Sequence, residues 1–279
     1  MVKKAFKYTF VYLVLLITYI PIFVLIAFSF TNTTYIGDWN GFSLELFINL
    51  FNSKETMIAL GNTLIIAFIS AIVSTFLGVT GAIGAFYSKK RTRALYENLN
   101  QLPVVNPEIV IALSLVVMFV FLGNTIFKEN LFSFWTLLVG HVILSAPFVY
   151  LNVKPKLQQM DPSLYEAALD LGCSPKKALS KVMIPQLLPG ILSGFILAIT
   201  LSLDDFIITA FTRGPGLLSG ENAIETLSTL VQAKIKKGPI PPELRALTTI
   251  IFFVVLIVVI GITIYQNKSK NRVKRRRSF

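Results

Sequence analysis

Glu166-Ala-Ala-Leu-Asp-Leu-Gly172-Cys-Ser-Pro-Lys-Lys-Ala-Leu-Ser-Lys-Val-Met-Ile-Pro185 lies between two long apolar runs and reads as two short helices with a bend. Asp161-Pro162 opens the first helix: aspartate can cap, and proline suits a first helical position, where a missing N–H is no loss. Leu164, Ala168 and Leu171 then recur at i, i+4 and i+7 and predict one apolar face. Gly172 is the expected stop, because a helix C-terminus often needs a left-handed residue. Ser174-Pro175 restarts a helix by the same logic, and Pro185 and Pro189 are expected to end it. A pair this short cannot bury its apolar face alone, so it needs a groove on a partner.

The stretch resembles the EAA loop of ABC-transporter permeases. Glu166, Ala167, Ala168, Gly172 and Pro185 stand in the register of that motif, while Val182 and Ile184 occupy positions where Ile and Leu are usual. The resemblance implies that residues 161–185 form cytoplasmic coupling helices that dock into a cleft on a separate ATP-hydrolysing subunit.

The surrounding composition suits such a loop. Of 279 residues, 54% are hydrophobic, and the mean hydropathy is +0.70, too apolar for a soluble domain with a polar surface. Six segments can cross about 30 Å of hydrocarbon as helix, near 8–30, 60–87, 104–122, 132–151, 188–211 and 247–265. The fold class expected is therefore all-α: a polytopic membrane protein of six transmembrane helices in a single permease domain, 1–279. The N-terminal lysines and apolar run resemble a signal peptide, but the run is too long and no A-x-A site follows, so it reads as a retained first span.

Orientation follows from the basic residues. Most of the 26 Lys and Arg fall before the first segment, after the second, in the loop after the fourth, or in the tail 266–279. These lie on one side if there are six spans, which predicts cytoplasmic termini and a cytoplasmic 161–185 loop. The net charge of +12 flanks apolar runs and is not interleaved with aromatics, so it points to anionic membrane lipid and not to nucleic acid. The single Cys173 excludes an intrachain disulfide framework, and no P-loop, metal-ligand spacing or Ser/His/Asp set occurs. Two outer stretches are long. One carries an expected interfacial helix near 44–51, and the other an expected helix at 223–236 followed by Pro239, Pro241 and Pro242. Gly78, Gly81 and Gly84 give the second span a small face suited to close helix packing.

Three acids are candidates for a substrate path. Asp204 and Asp205 fall inside the fifth segment, where a charge costs about 2.5–3.5 kcal/mol on insertion scales and normally faces a bundle interior or a wet path. Successive helical residues diverge by about 100°, so one can line a path while the other caps or pairs. A helix break or an interhelical ion pair is the structural alternative. Glu108, after Pro107, is placed at the inner end of the third span, where it either stabilises a helix start or adds charge to the path. His141, alone in the fourth span, reads as a packing residue before a ligand.

Ser202-Leu-Asp204-Asp205-Phe206 and Phe211-Thr-Arg-Gly214-Pro215 resemble tracts of PotC-type permeases of spermidine/putrescine importers, as does Asn106-Pro107-Glu108 at the third-span entry. That resemblance implies the type I (MetI-like) ABC importer permease fold in a bacterial cytoplasmic membrane. It implies a second, PotB-like permease subunit, two PotA-like ATP-binding subunits and a PotD-like extracytoplasmic polyamine-binding protein. It implies no cofactor on this chain, with ATP and Mg on the partner ATPase, and no enzyme activity of its own. The alternatives are a permease for another solute, such as an anion or a metal complex, and an ATP-independent channel or carrier.

Overall fold

The computed structural model describes residues 2–33, 37–161, 163–216, 220–237 and 241–276. Pro162 and Pro239, named in the sequence reading, lie outside them. The chain divides into two units, Ile58–Leu230 and the pair Met1–Met57 with Val231–Phe279. Among the described residues five stretches are long and apolar enough to span a membrane: Tyr8–Ser29, Lys54–Tyr87, Glu108–Phe127, Phe134–Gln159 and Pro175–Asp204. The sixth predicted segment lies within a further helix, Glu243–Arg276.

The unit Ile58–Leu230 is built on one helix pair, α6 (Phe134–Gln159) and α9 (Ile184–Asp204). Gly190, Gly194, Ala198 and Ser202 recur every fourth residue along α9 and are all buried. A Cβ on Gly190 would sit 2.8 Å from the Asn152 carbonyl oxygen, and one on Gly194 would sit 3.1 Å from the Val149 Cα. The two backbones therefore touch, and dispersion over the stripe does the work that hydrophobic burial does in water. Val149, Val153, Leu157, Met183 and Leu187 complete this core. The helix α3 (Lys54–Tyr87) joins it through Gly78, whose Cβ would meet the Val149 side chain at 2.7 Å. Gly81 lies against the Tyr96 hydroxyl, whereas Gly84 has nothing within 4 Å.

The third predicted span, 104–122, runs as one helix from Glu108, and a further helix precedes it. The helix α4 (Lys90–Val105) packs along α6 near its C-terminal end, with Tyr96 and Tyr150 rings 5.4 Å apart and Lys154 Nζ 3.0 Å from Glu97 Oε1. The helix α5 (Glu108–Leu122) packs nearer the other end, with Ile111, Ala112 and Leu115 clustered with Leu144. Asn106 is extended (ψ 141°) because Pro107 disfavours the helical region for the residue before it. Glu108 thus opens α5 and the candidate span Glu108–Phe127.

Beyond α9 come α10 (Ile207–Thr212), a small antiparallel pair β1 (Pro215–Gly216) and β2 (Gly220–Ala223), and α11 (Leu227–Lys237). The predicted 223–236 helix begins later because Ala223 belongs to β2, and the Ile224 N–H donates to the Gly214 carbonyl at 2.8 Å. Gly214 must be glycine, since a Cβ there would collide with the Phe132 backbone.

In the other unit, α1 (Val2–Phe28) is apolar, and nearly all its residues from Tyr8 to Val24 are exposed, so it is free to meet lipid or another chain. The helix α2 (Glu45–Asn52) buries Leu46 and Leu50 and packs on α12 (Glu243–Arg276). Buried Arg245 donates to the carbonyls of Phe28 and Thr33.

Candidate functional site

The two candidate regions are both helix interruptions in the unit Ile58–Leu230. The first is the loop. The helix α7 (Ser163–Asp170) begins where Asp161 Oδ1 accepts from the Ser163 N–H at 3.0 Å and its hydroxyl at 2.8 Å. Those two donors hold the Asp161 carboxyl below the usual carboxylate range. The helix ends in a Schellman turn. Gly172 has φ +82°, its N–H donates to the Leu169 carbonyl at 2.9 Å, and the Cys173 N–H donates to the Ala168 carbonyl at 3.0 Å. The short helix α8 (Pro175–Ala178) follows, with Ser174 preceding it and Pro175 in its first turn.

Two expectations change here. Tyr165 lies on Tyr87, with centroids 5.7 Å apart, and Ala168, one turn on, is buried with it. Leu164, Ala167 and Leu171 point away, and Leu171 is 86% exposed. The outward apolar face is therefore Leu164, Ala167 and Leu171, not the face containing Ala168. The second change concerns Pro185, which does not stop the loop helix. A π turn, Leu179–Met183, carries the chain into α9, and Pro185 sits in that helix's first turn. The wider turn suits a ring that has no N–H to give and would clash with a carbonyl four residues back. Pro189 lies inside α9. Glu166, Ala167, Gly172 and Pro185 are exposed, and Ala168 is the buried member of the motif.

The second interruption separates α9 from α10. Asp205 is extended (ψ 124°) and its side chain is 0% exposed. Oδ1 accepts from the Ile208 N–H at 3.1 Å, and Oδ2 accepts from the Thr209 N–H at 2.8 Å and the Thr209 hydroxyl at 2.9 Å. The carboxylate caps α10, satisfying donors that a broken helix would otherwise leave bare in an apolar interior. Ser228 Oγ donates to the Asp205 carbonyl at 2.6 Å. Asp205 therefore departs from the path role expected of it, because its oxygens are enclosed and engaged. Asp204, its neighbour, is exposed. Glu108 is also exposed and lies within electrostatic reach of Asp205 and Asp204.

His141, read from sequence as a packing residue, is 1% exposed and hydrogen-bonded on both ring nitrogens. Nδ1 is 2.7 Å from Ser202 Oγ and Nε2 is 3.0 Å from Thr209 Oγ1. Ser70 Oγ reaches Ser202 Oγ at 3.1 Å, and Ser74 and Ser145 pair at 2.7 Å beside it. Sequence reasoning passed over this seam because isolated Ser and Thr in apolar helices carry no periodic signal. Among the described residues no cluster of three or more His, Cys, Asp or Glu could hold a metal ion.

A family described as "Binding-protein-dependent transport system inner membrane component" matches residues 74–274. The chain is 32% identical over 243 residues to the "Spermidine/putrescine transport system permease protein PotC" of Escherichia coli (strain K12), covering 87% of each. It is 32% identical over 241 residues to the "Putrescine transport system permease protein PotI" of the same strain, covering 86% of this chain and 83% of that one. Among solved structures it superposes, with a TM-score of 0.69 and 18% identity, on a chain of a bacterial ABC transporter involved in the import of the acidic polysaccharide alginate, covering 92% of this chain and 94% of that one.

Proposed function

The chain belongs to the family of binding-protein-dependent transport system inner membrane components and is a permease subunit of an ABC importer, and from that premise we propose that the solute it passes is a polyamine of the spermidine/putrescine class. The observation that carries this reading is the pair of exposed carboxylates, Glu108 at the start of α5 and Asp204 at the end of α9. An ammonium 4 Å from a carboxylate is attracted by about 4 kcal/mol at an effective dielectric of 20. Two such acids suit a linear cation with amines spaced along it. They repel an anion, and the alginate transporter, at 18% identity, shares the fold alone. The permease relatives named for spermidine and putrescine support the same assignment.

In this reading the transporter pairs this chain with a second permease subunit, two ATP-binding subunits and an extracytoplasmic polyamine-binding protein. ATP and Mg act on the ATP-binding subunits. The basic flanks support an orientation with both termini and the loop in the cytoplasm. Leu164, Ala167 and Leu171 enter the ATPase cleft, with Glu166, Gly172 and Pro185 holding the shape around them. Closure of the ATPases pushes this rigid turn, and α9, which continues directly from it, carries the push to Asp204.

The test is uptake of radiolabelled spermidine, putrescine and sulfate by cells that lack their own polyamine importers and express the complete transporter. Polyamine uptake is expected, with sulfate excluded. Asp204→Asn and Glu108→Gln are each expected to lower it at least tenfold, with about a thousandfold as the ceiling if the whole ~4 kcal/mol contact is lost. An assembled transporter that takes up no polyamine overturns the reading.

A further inference from the structure

The buried hydrogen bonds around His141 have one internally consistent direction. Asp205 Oδ2 is an acceptor, so the Thr209 hydroxyl spends its proton there. Thr209 Oγ1 must then accept from His141 Nε2–H, 3.0 Å away. A neutral ring carrying its proton on Nε2 leaves Nδ1 as an acceptor, which the Ser202 hydroxyl fills at 2.7 Å. Ser202 Oγ in turn accepts from Ser70 at 3.1 Å. Four side chains from α3, α9, α6 and α10 thus donate in line toward a carboxylate, and every proton has a place.

The position of the ring matters more than its burial. Nδ1 holds the last turn of α9 through Ser202, and Nε2 holds the first turn of α10 through Thr209. No intrahelical ladder ties α9 to α10, because Asp205 is extended between them. Besides the Asp205 cap and Ser228, an imidazole on a third helix bridges the gap. A large change in the angle between the two pieces pulls on both of its hydrogen bonds. Asp204 is the last residue of α9, in the same turn as Ser202 and beside the interruption.

We propose that His141 is a positioning residue for transport: by bridging Ser202 and Thr209 it sets the angle at the α9–α10 interruption and so the presentation of Asp204 to the incoming cation. The inference rests on the proposed role of Asp204, and its test separates the two. Asparagine at 141 reaches only as far as Nδ1, whereas glutamine places an amide N–H near Nε2 and an oxygen that can still accept. Cys173 is the sole cysteine, so Asp204→Cys in a Cys173→Ser background gives one reporter thiol, read by its labelling rate with a cationic methanethiosulfonate in the assembled transporter. His141→Asn is expected to change that rate about fivefold, the effect of one lost hydrogen bond, and His141→Gln is expected to stay near the parent. With Asp204 restored, spermidine uptake should follow the same order, Gln well above Asn. Thr209→Val removes the Nε2 partner without opening a cavity and should reproduce the Asn shift even where His141→Asn fails to accumulate. Equal labelling rates in the Asn and Gln variants, or full uptake by His141→Ala, overturn the inference. A parent transporter without polyamine uptake would instead sink the functional reading and leave the labelling result standing.

Discussion

The chain interrupts its helices twice within one stretch, at Gly172 and at Asp205, and does so by opposite means. At Gly172 a left-handed glycine turns the backbone, nothing lies within 4 Å of the position a Cβ would take, and neighbouring carbonyls accept the freed N–H groups. At Asp205 a carboxylate with no exposed side-chain surface takes three donors, and α6 and Ser228 hold the arrangement from outside. Water explains the difference. Next to solvent, a broken helix can leave its spare groups hydrated, so conformational freedom suffices. In an apolar interior each spare donor needs a built partner, or it costs roughly 2–7 kcal/mol.

Three substitutions sharpen that contrast. The largest effect is expected of Asp205→Ala, which strands two backbone N–H groups and the Thr209 hydroxyl. A loss of about 3 kcal/mol or more is expected, read as a fall in the unfolding temperature of the purified transporter together with loss of uptake. If the protein melts at its original temperature, the buried interruption is as forgiving as the exposed one and the contrast fails. Next comes Leu171→Ser, which removes an apolar side chain that is 86% exposed. The melting temperature should not move, but binding of the ATP-binding subunits should weaken by about 2 kcal/mol, the value of burying one leucine, as measured by co-purification across a concentration series. Gly172→Ala is the mildest. Its left-handed backbone (φ +82°) costs an L-residue about 1–2 kcal/mol with no steric clash. A small drop in ATP-driven uptake is expected, with the bundle intact by circular dichroism.

The same contrast explains which features were readable in advance. The Asp161 cap, the Gly172 stop and the Ser174-Pro175 restart each depend on residues within a turn of one another, so a linear reading reaches them. So does the small-residue rule, although it points to Gly78, Gly81 and Gly84, of which Gly84 has open space where a Cβ would lie, and not to Gly190, Gly194, Ala198 and Ser202, where the backbones meet. The interruption at Asp205 was only one of several alternatives. Choosing among them required Ser70, His141 and Ser228, which lie far from it in the chain. The helix α4 is not legible in the sequence, because the charge run at Lys90–Arg93 looks like a loop, while Glu97 and Lys154 pair across α4 and α6.

Composition and order of residues were enough to establish a helical membrane bundle, the positions of its apolar segments and the helix stop at Gly172, because hydropathy, caps and glycine conformation act over a few residues. Tertiary structure alone decided which of two adjacent aspartates is enclosed and which is exposed. A carboxylate's role in an apolar interior is set by the donors that surround it; those of Asp205 come from α10 and are held in turn by side chains on α3, α6 and α9.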